Sequence, residues 1–181
     1  QALSDDAAVQ RQRELRQQAR AAFQQARELS IAGLDDPLDL GVASLGEEAR
    51  LALDEGDWNS AITLYASQAS QASPTGYSSL RQLTWTLARM DDEQLRPLLE
   101  GPAVQQLLVA QLFSRLDVHD KDSPRLLDML RQAPVQAEIA DRLAALSYQR
   151  GDYASTRTFL ERAGDSGLAW WLRAKLALQA G

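Results

Sequence analysis

The densest run of ligand-type side chains is Asp117-Val118-His119-Asp120-Lys121-Asp122-Ser123, which holds the one histidine of the chain. Alternating carboxylates suit a hard cation, and a calcium loop of this kind needs glycine at its sixth position and glutamate at its twelfth. Counted from Asp117, the fifth position is Lys121, the sixth is Asp122 and the twelfth is Asp128. The run therefore reads as a polar turn between helices that ends in the N-cap Ser123. The acidic groups Asp35-Asp36-Pro37 and Asp91-Asp92-Glu93 read the same way, because the helix dipole favours carboxylates at helix starts. No cysteine is present, which removes thiolate zinc sites, cysteine nucleophiles and disulfides. Glycine-rich phosphate loops, nucleophile elbows and metalloprotease helices are also absent from the sequence. No catalytic residue, metal site or cofactor is expected, and the chain is not expected to be an enzyme.

Charge narrows the partners. A net charge of −6 argues against nucleic acid, whose affinity rests on basic surface. Arg11, Arg13, Arg16, Arg20 and Arg27 cluster near the start, but with glutamine neighbours and no interleaved aromatics they read as a solvated helix face. No apolar run approaches the roughly 20 residues of a membrane span, so no membrane insertion is expected. Lysine occurs only at Lys121 and Lys175, against 17 arginines, a composition that suggests a GC-rich bacterial coding sequence. The chain starts at Gln1 without methionine, as a processed exported protein or an excised domain would. A periplasmic or otherwise exported location is the expectation, with the cytoplasm as its rival.

The elements are helices throughout. Leu15, Ala19, Ala22, Phe23, Ala26 and Leu29 recur at three- and four-residue steps, which predicts one long helix from Asp5 to Ile31. Shorter helices follow: Val42 to Glu55, Trp58 to Gln71, Tyr77 to Met90, and a short one to Glu100. Ser73-Pro74-Thr75-Gly76 is read as a turn, and Asp91 with Gln94 as a capping box. Val104, Leu107, Leu108, Leu112 and Leu116 make the stripe of the next helix. Ser123-Pro124 opens another. Three more run from Ala137 to Arg150, Tyr153 to Ala163 and Leu168 to Ala180. The fold class expected is all-α, with about ten helices.

Two segments repeat a pattern. Ala49 and Ala144 each lie seven residues before a Gly-Asp-aromatic turn, Gly56-Asp57-Trp58 and Gly151-Asp152-Tyr153. A small residue follows five after each glycine, Ala61 and Thr156, and a large one nine after, Tyr65 and Leu160. Small residues let two helices of a hairpin approach. The glycine closes the first helix, and the aspartate starts the second.

This pattern resembles the tetratricopeptide repeat, a helical hairpin of about 34 residues. The two glycines are 95 residues apart, about three repeats of 32; turn points near Asp91 and His119 would divide that interval but lack glycine. Trp170, Ala174 and Gly181 fit the first helix of one more repeat, with Trp170 at the family's tryptophan position. Of the tryptophan pair, Trp171 is then the exposed one, and Trp58, Trp85 and Trp170 are packing residues. The uneven spacing leaves two other arrangements open, a solenoid of shorter hairpins and a closed bundle.

The resemblance implies an N-terminal helix over residues 1–36 and one continuous α-solenoid of antiparallel pairs over 37–181. It implies a concave groove for a partner protein or peptide, lined by Arg50 and Asp54 in the first clear repeat, Asp141 and Tyr148 in the fourth, and Trp171 and Lys175 in the last. A solenoid end exposes apolar surface, so a continuation past Gly181 or a separate cap is expected. A helical spacer within a larger envelope protein or cell-wall enzyme is the alternative function.

Overall fold

The computed structural model describes residues 2–31, 39–114 and 122–180. Ten helices are present among them: α1 Ala2–Ile31, α2 Leu40–Asp54, α3 Trp58–Ser70, α4 Pro74–Arg89, α5 Asp92–Leu98, α6 Pro102–Ser114, α7 Asp122–Gln132, α8 Ala137–Gln149, α9 Tyr153–Leu160 and α10 Gly167–Ala180. The described residues contain no strand. Two compact units share the chain, Gln1–Arg81 and Gln82–Gly181, with the division falling inside α4.

In the first unit, α1 packs on α2 and α2 on α3. Thirty residues make α1 about 45 Å long. Its attachment is electrostatic as well as apolar. Arg20 meets Glu55 at 2.7 Å and Arg27 meets Glu48 at 2.5 Å, so partners seven apart on α1 face partners seven apart on α2 and its C-cap, in opposite order. Gln24 adds a bond to Glu48 at 3.2 Å. Of the expected apolar stripe, Phe23 is half-buried while Leu15 and Leu29 stay about half exposed.

The α2–α3 hairpin has an interior of small residues. Ala49 and Ala61 are fully buried and Ala52 nearly so, which lets the two backbones approach. The helices run antiparallel, because Gln68 near the end of α3 donates to the carbonyl of Val42 at the start of α2. Gly56 has φ +77°, a conformation that favours glycine. The turn around it is a Schellman motif: Asp57 N–H bonds the Ala52 carbonyl and Gly56 N–H that of Leu53, both at 2.9 Å.

The stretch read as a turn, Ser73 to Gly76, is instead the start of α4. Pro74 is its first residue, where a missing N–H costs nothing, and the Ser73 hydroxyl accepts from Gly76 N–H at 3.4 Å. Gly76 lies against α3 so closely that a Cβ there would come within 2.5 Å of the Ala69 backbone nitrogen.

The second unit has a leucine-rich interior. Leu95, Leu108, Leu130, Leu143, Leu146 and Phe159 are fully buried. The α8–α9 hairpin packs on α6, α7 and α10. Its turn repeats the first: Gly151 has φ +75°, Asp152 N–H bonds Ser147 at 2.9 Å, and Gly151 N–H bonds Tyr148 at 3.0 Å. Arginines close helix ends here. Arg125 donates to the carbonyls of Ala88 and Met90 at 2.8 and 3.0 Å and pairs with Asp92, which fixes the α4–α5 link. Arg162 and Arg173 do the same for Ala133 and Leu160. Asp91 precedes α5 in extended conformation with no side-chain cap, so the expected capping box with Gln94 does not form; Gln94 N–H bonds the Asp91 backbone carbonyl instead.

Candidate functional site

Among the described residues, no group of three or more His, Cys, Asp or Glu side chains could hold a metal ion. His119 and its neighbours Asp117, Asp120 and Lys121 lie outside the described residues.

The most developed surface feature belongs to the second unit. Tyr148, near the end of α8, is half-buried and sits at the centre of an aromatic cluster. Its ring centroid is 5.5 Å from Tyr153, the first residue of α9, and 6.0 Å edge-on from Trp171 of α10. The Schellman turn sets the first contact: it fixes the residues on either side of Gly151, and Tyr148 and Tyr153 flank it. Trp171 is 52% exposed, and Lys175 lies one turn on with its ammonium 5.4 Å from the indole centroid. Gln179, one turn further, donates to the Tyr148 hydroxyl at 3.5 Å. One ring pair tilted and one edge to face, with a cation over the indole and polar groups at the margin, offer a partly dry surface.

Three of the six expected partner-binding residues therefore meet: Tyr148, Trp171 and Lys175. Tyr153 completes the cluster without having been picked out for binding. Asp141, on the same helix, is buried at 7% exposure, with one carboxylate oxygen lacking a hydrogen-bond partner among the described residues. Arg50 and Asp54 lie in the first unit, both exposed.

The tryptophan assignment needs correction. Trp170 is exposed too, at 59%, with the Arg173 guanidinium 5.1 Å from its ring. α10 buries Ala169, Leu172 and Leu176, a stripe at three- and four-residue steps that turns both tryptophans outward. Trp85 is also half exposed, with the Arg89 guanidinium 3.8 Å from its ring. Comparison with protein-family models, with curated proteins and with solved structures finds no match to this chain.

A second feature lies in the first unit, where Arg50 does have neighbours. α2, α3 and the start of α4 enclose a concavity of about 670 Å³, bordered by Asp39, Gly46, Glu47, Arg50, Tyr65 and Gln68 among others. Arg50 donates to Glu47 through Nε at 3.2 Å and through a terminal nitrogen at 2.8 Å, and this pairing raises its pKa. Burial pushes the Tyr65 phenol above its usual value, opposed by a hydrogen bond with Ser79, so the group is neutral at physiological pH. Nothing local in the sequence announces this concavity. It needs Gly46 of one helix beneath Gln68 of the next, a contact visible only once the hairpin is closed.

Among the described residues, no helix is long and apolar enough to cross a membrane.

Proposed function

We propose that this chain is a non-catalytic interaction scaffold of tetratricopeptide-like helical repeats, stacked from residue 37 to residue 181, that binds a partner protein or peptide. The single observation behind this reading is the exposed cluster of Tyr148, Tyr153, Trp171 and Lys175. Large aromatic side chains are costly to leave in water, and rigid aromatic anchors with an adjacent cation are the groups that dominate binding energy at protein interfaces. The cluster also draws on three consecutive helices, the first two joined by the tight turn at Gly151, so little side-chain freedom is left to lose on binding. The two matching Gly-Asp turns support the repeat assignment, since the glycine and the aspartate make the same backbone bonds in both.

The test is a pull-down with this chain as bait, against a Tyr148→Ala/Trp171→Ala variant whose helicity is checked by circular dichroism. A protein retained by the first and lost by the second, and rebinding after purification with the same difference, supports the scaffold and places its surface on α8 and α10. Equal retention by both baits, or no specific retention by either, defeats the reading.

A further inference from the structure

α10 has an apolar face that extends beyond the aromatic cluster. At 100° per residue, Trp170, Trp171, Ala174, Ala177 and Leu178 fall within about 60° of one direction, and the buried Ala169, Leu172 and Leu176 lie on the opposite side. All five are exposed, Leu178 most of all at 81%. The only charges of α10, Arg173 and Lys175, stand at the two edges of this face. A helix that is apolar all round belongs between neighbours, and a contiguous exposed apolar patch marks an interaction site. The buried side of α10 packs on α8 and α9.

The chain itself shows twice what covers such a face. Ala49 of α2, Ala144 of α8 and Ala174 of α10 each stand seven residues before a glycine, Gly56, Gly151 and Gly181. Four residues back in each are Leu45, Ala140 and Trp170, and three residues on are Ala52, Ser147 and Ala177. α2 and α8 carry a hairpin partner, α3 and α9, and all six of their residues in this set are buried. α10 carries no such helix among the described residues, and its three are exposed. The two covering helices are alike: each contributes a fully buried small residue, Ala61 or Thr156, beside larger apolar side chains such as Ile62 and Phe159.

We infer that the outer face of α10 is the docking site for an amphipathic helix of a partner protein, seated as α3 seats on α2 and carrying carboxylates along its edges. Trp170 and Leu178 stand four residues either side of Ala174, so the small Ala174 and Ala177 leave a notch between them for the ridge of an incoming helix. Charge sets the partner's edges. Arg173 is spent on the Leu160 carbonyl and on Asp165 at 3.7 Å. Lys175 rests over the Trp171 ring and pairs with no carboxylate among the described residues, so a glutamate on the incoming helix meets a free ammonium. The same charges disfavour a second α10 as the occupant. An antiparallel pair with its two-fold axis at Ala174 would set Lys175 against Lys175 and Arg173 against Arg173. The inference rests on the scaffold reading for the existence of a partner and adds the kind of segment that partner offers.

The test is fluorescence anisotropy on the full chain with a labelled, end-capped peptide of about 18 residues, long enough to hold a helix in water. Its alanines and leucines recur at three- and four-residue steps, with glutamate along both edges. One control scrambles the same composition, and a second replaces each glutamate with lysine. The glutamate helix is expected to bind, more weakly as salt is raised, and the scrambled peptide not at all. The lysine helix should bind about tenfold more weakly or worse. Ala174→Gln fills the notch and should weaken the glutamate helix about tenfold, with Tm unchanged because Ala174 is exposed. Lys175→Glu should invert the preference between the glutamate and lysine peptides. Tyr153→Ala, in the aromatic cluster but off this face, should leave binding as it is. No binding of the glutamate helix at millimolar concentration, equal binding of the scrambled peptide, or indifference to Ala174→Gln overturns the inference. A dimer that Ala174→Gln dissolves overturns it too, as does capture of anionic vesicles in place of the peptide. Peptide binding with no protein retained in the pull-down supports this docking face and defeats the scaffold reading alone.

Discussion

The carboxylates of Asp57 and Asp152 make the same bond in two turns 95 residues apart: each accepts from the backbone N–H of the serine three positions on, Ser60 and Ser155, at 3.0 Å. The backbone agrees as closely, with φ −84° and ψ 76° at Asp57 and φ −84° and ψ 78° at Asp152. The bond favours the ionised form, and both aspartates titrate below the ordinary value near 3.8, the bond to serine being the main cause.

A pH dependence follows from that direction. A carboxylate whose pKa is lower in the folded state contributes stability that is full above its unfolded value and lost as pH falls through the folded one. At pH 7, Asp57→Ala or Asp152→Ala should cost about 1 kcal/mol each. The difference from the native chain should shrink below about pH 4, near the unfolded pKa of aspartate. Asparagine caps nearly as well without titrating, so Asp57→Asn should keep most of the stability at pH 7 and lose less on acidification. Urea unfolding at a series of pH values checks both.

Glycine substitutions should separate two kinds of constraint. At Gly56 and Gly151 nothing lies within 4 Å of an added Cβ, so alanine meets only backbone strain, about 1–2 kcal/mol. Asparagine, which tolerates the left-handed conformation, should cost less than alanine there. At Gly76 the obstacle is the Ala69 backbone, which cannot swing aside. Gly76→Ala should therefore push α3 and α4 apart, cost about 1–3 kcal/mol, and resist rescue by asparagine. Thermal unfolding midpoints for the six variants, alanine and asparagine at each of Gly56, Gly151 and Gly76, make the comparison.

The register of α10 can be read from three variants. Leu172 is 1% exposed and Trp170 and Trp171 are both more than half exposed. Leu172→Ala should cost about 2–5 kcal/mol, and Trp170→Ala and Trp171→Ala only about 0.5 kcal/mol each. A large loss at Trp170 alone would restore the register of the family's tryptophan position.

The ion pair that holds α1 to α2 should behave as a unit. Glu48 is nearly buried and Arg27 about four-fifths so. Arg27→Met would strand the carboxylate with only Gln24 beside it and should cost about 2 kcal/mol, less than the 3–5 kcal/mol of a fully buried pair. The double change Arg27→Met/Glu48→Met should recover most of that loss, measured by chemical denaturation of all three chains.

The legible part of this fold was the part written in neighbouring residues. Gly56-Asp57 and Gly151-Asp152 announced their turns because glycine and aspartate each satisfy a backbone demand within five residues. The start of α4 carried the same kind of signal: Ser73-Pro74 has the serine-proline form of Ser123-Pro124, but Gly76 three residues on drew the reading toward a turn. That glycine serves packing against Ala69, which the local sequence cannot express. The capping box failed at Asp91 for a related reason. The spacing was present, but the geometry of the α4–α5 link is set by Arg125, more than thirty residues away. Site residues divide the same way. Tyr148, Trp171 and Lys175 came from repeat register and converge, Tyr153 joins them through the turn, and Asp141 is buried because its face of α8 turns inward. Two adjacent tryptophans cannot both face a narrow buried stripe, but nothing in the pair itself says that neither does.

Asp57 ends one helix and begins the next. Its N–H completes the closing motif of α2, while its carbonyl and carboxylate accept the first bonds of α3. The three residues between the helices, Glu55, Gly56 and Asp57, all bond their N–H groups back to carbonyls of α2, which leaves no slack. Neither can unwind at the turn without releasing the other, so opening of this hairpin has to start at its distant ends, near Leu40 and Ser70. Amide hydrogen exchange along α2 and α3 should then run slowest beside the turn and fastest where the helices part, the reverse of a pair joined by a loose loop.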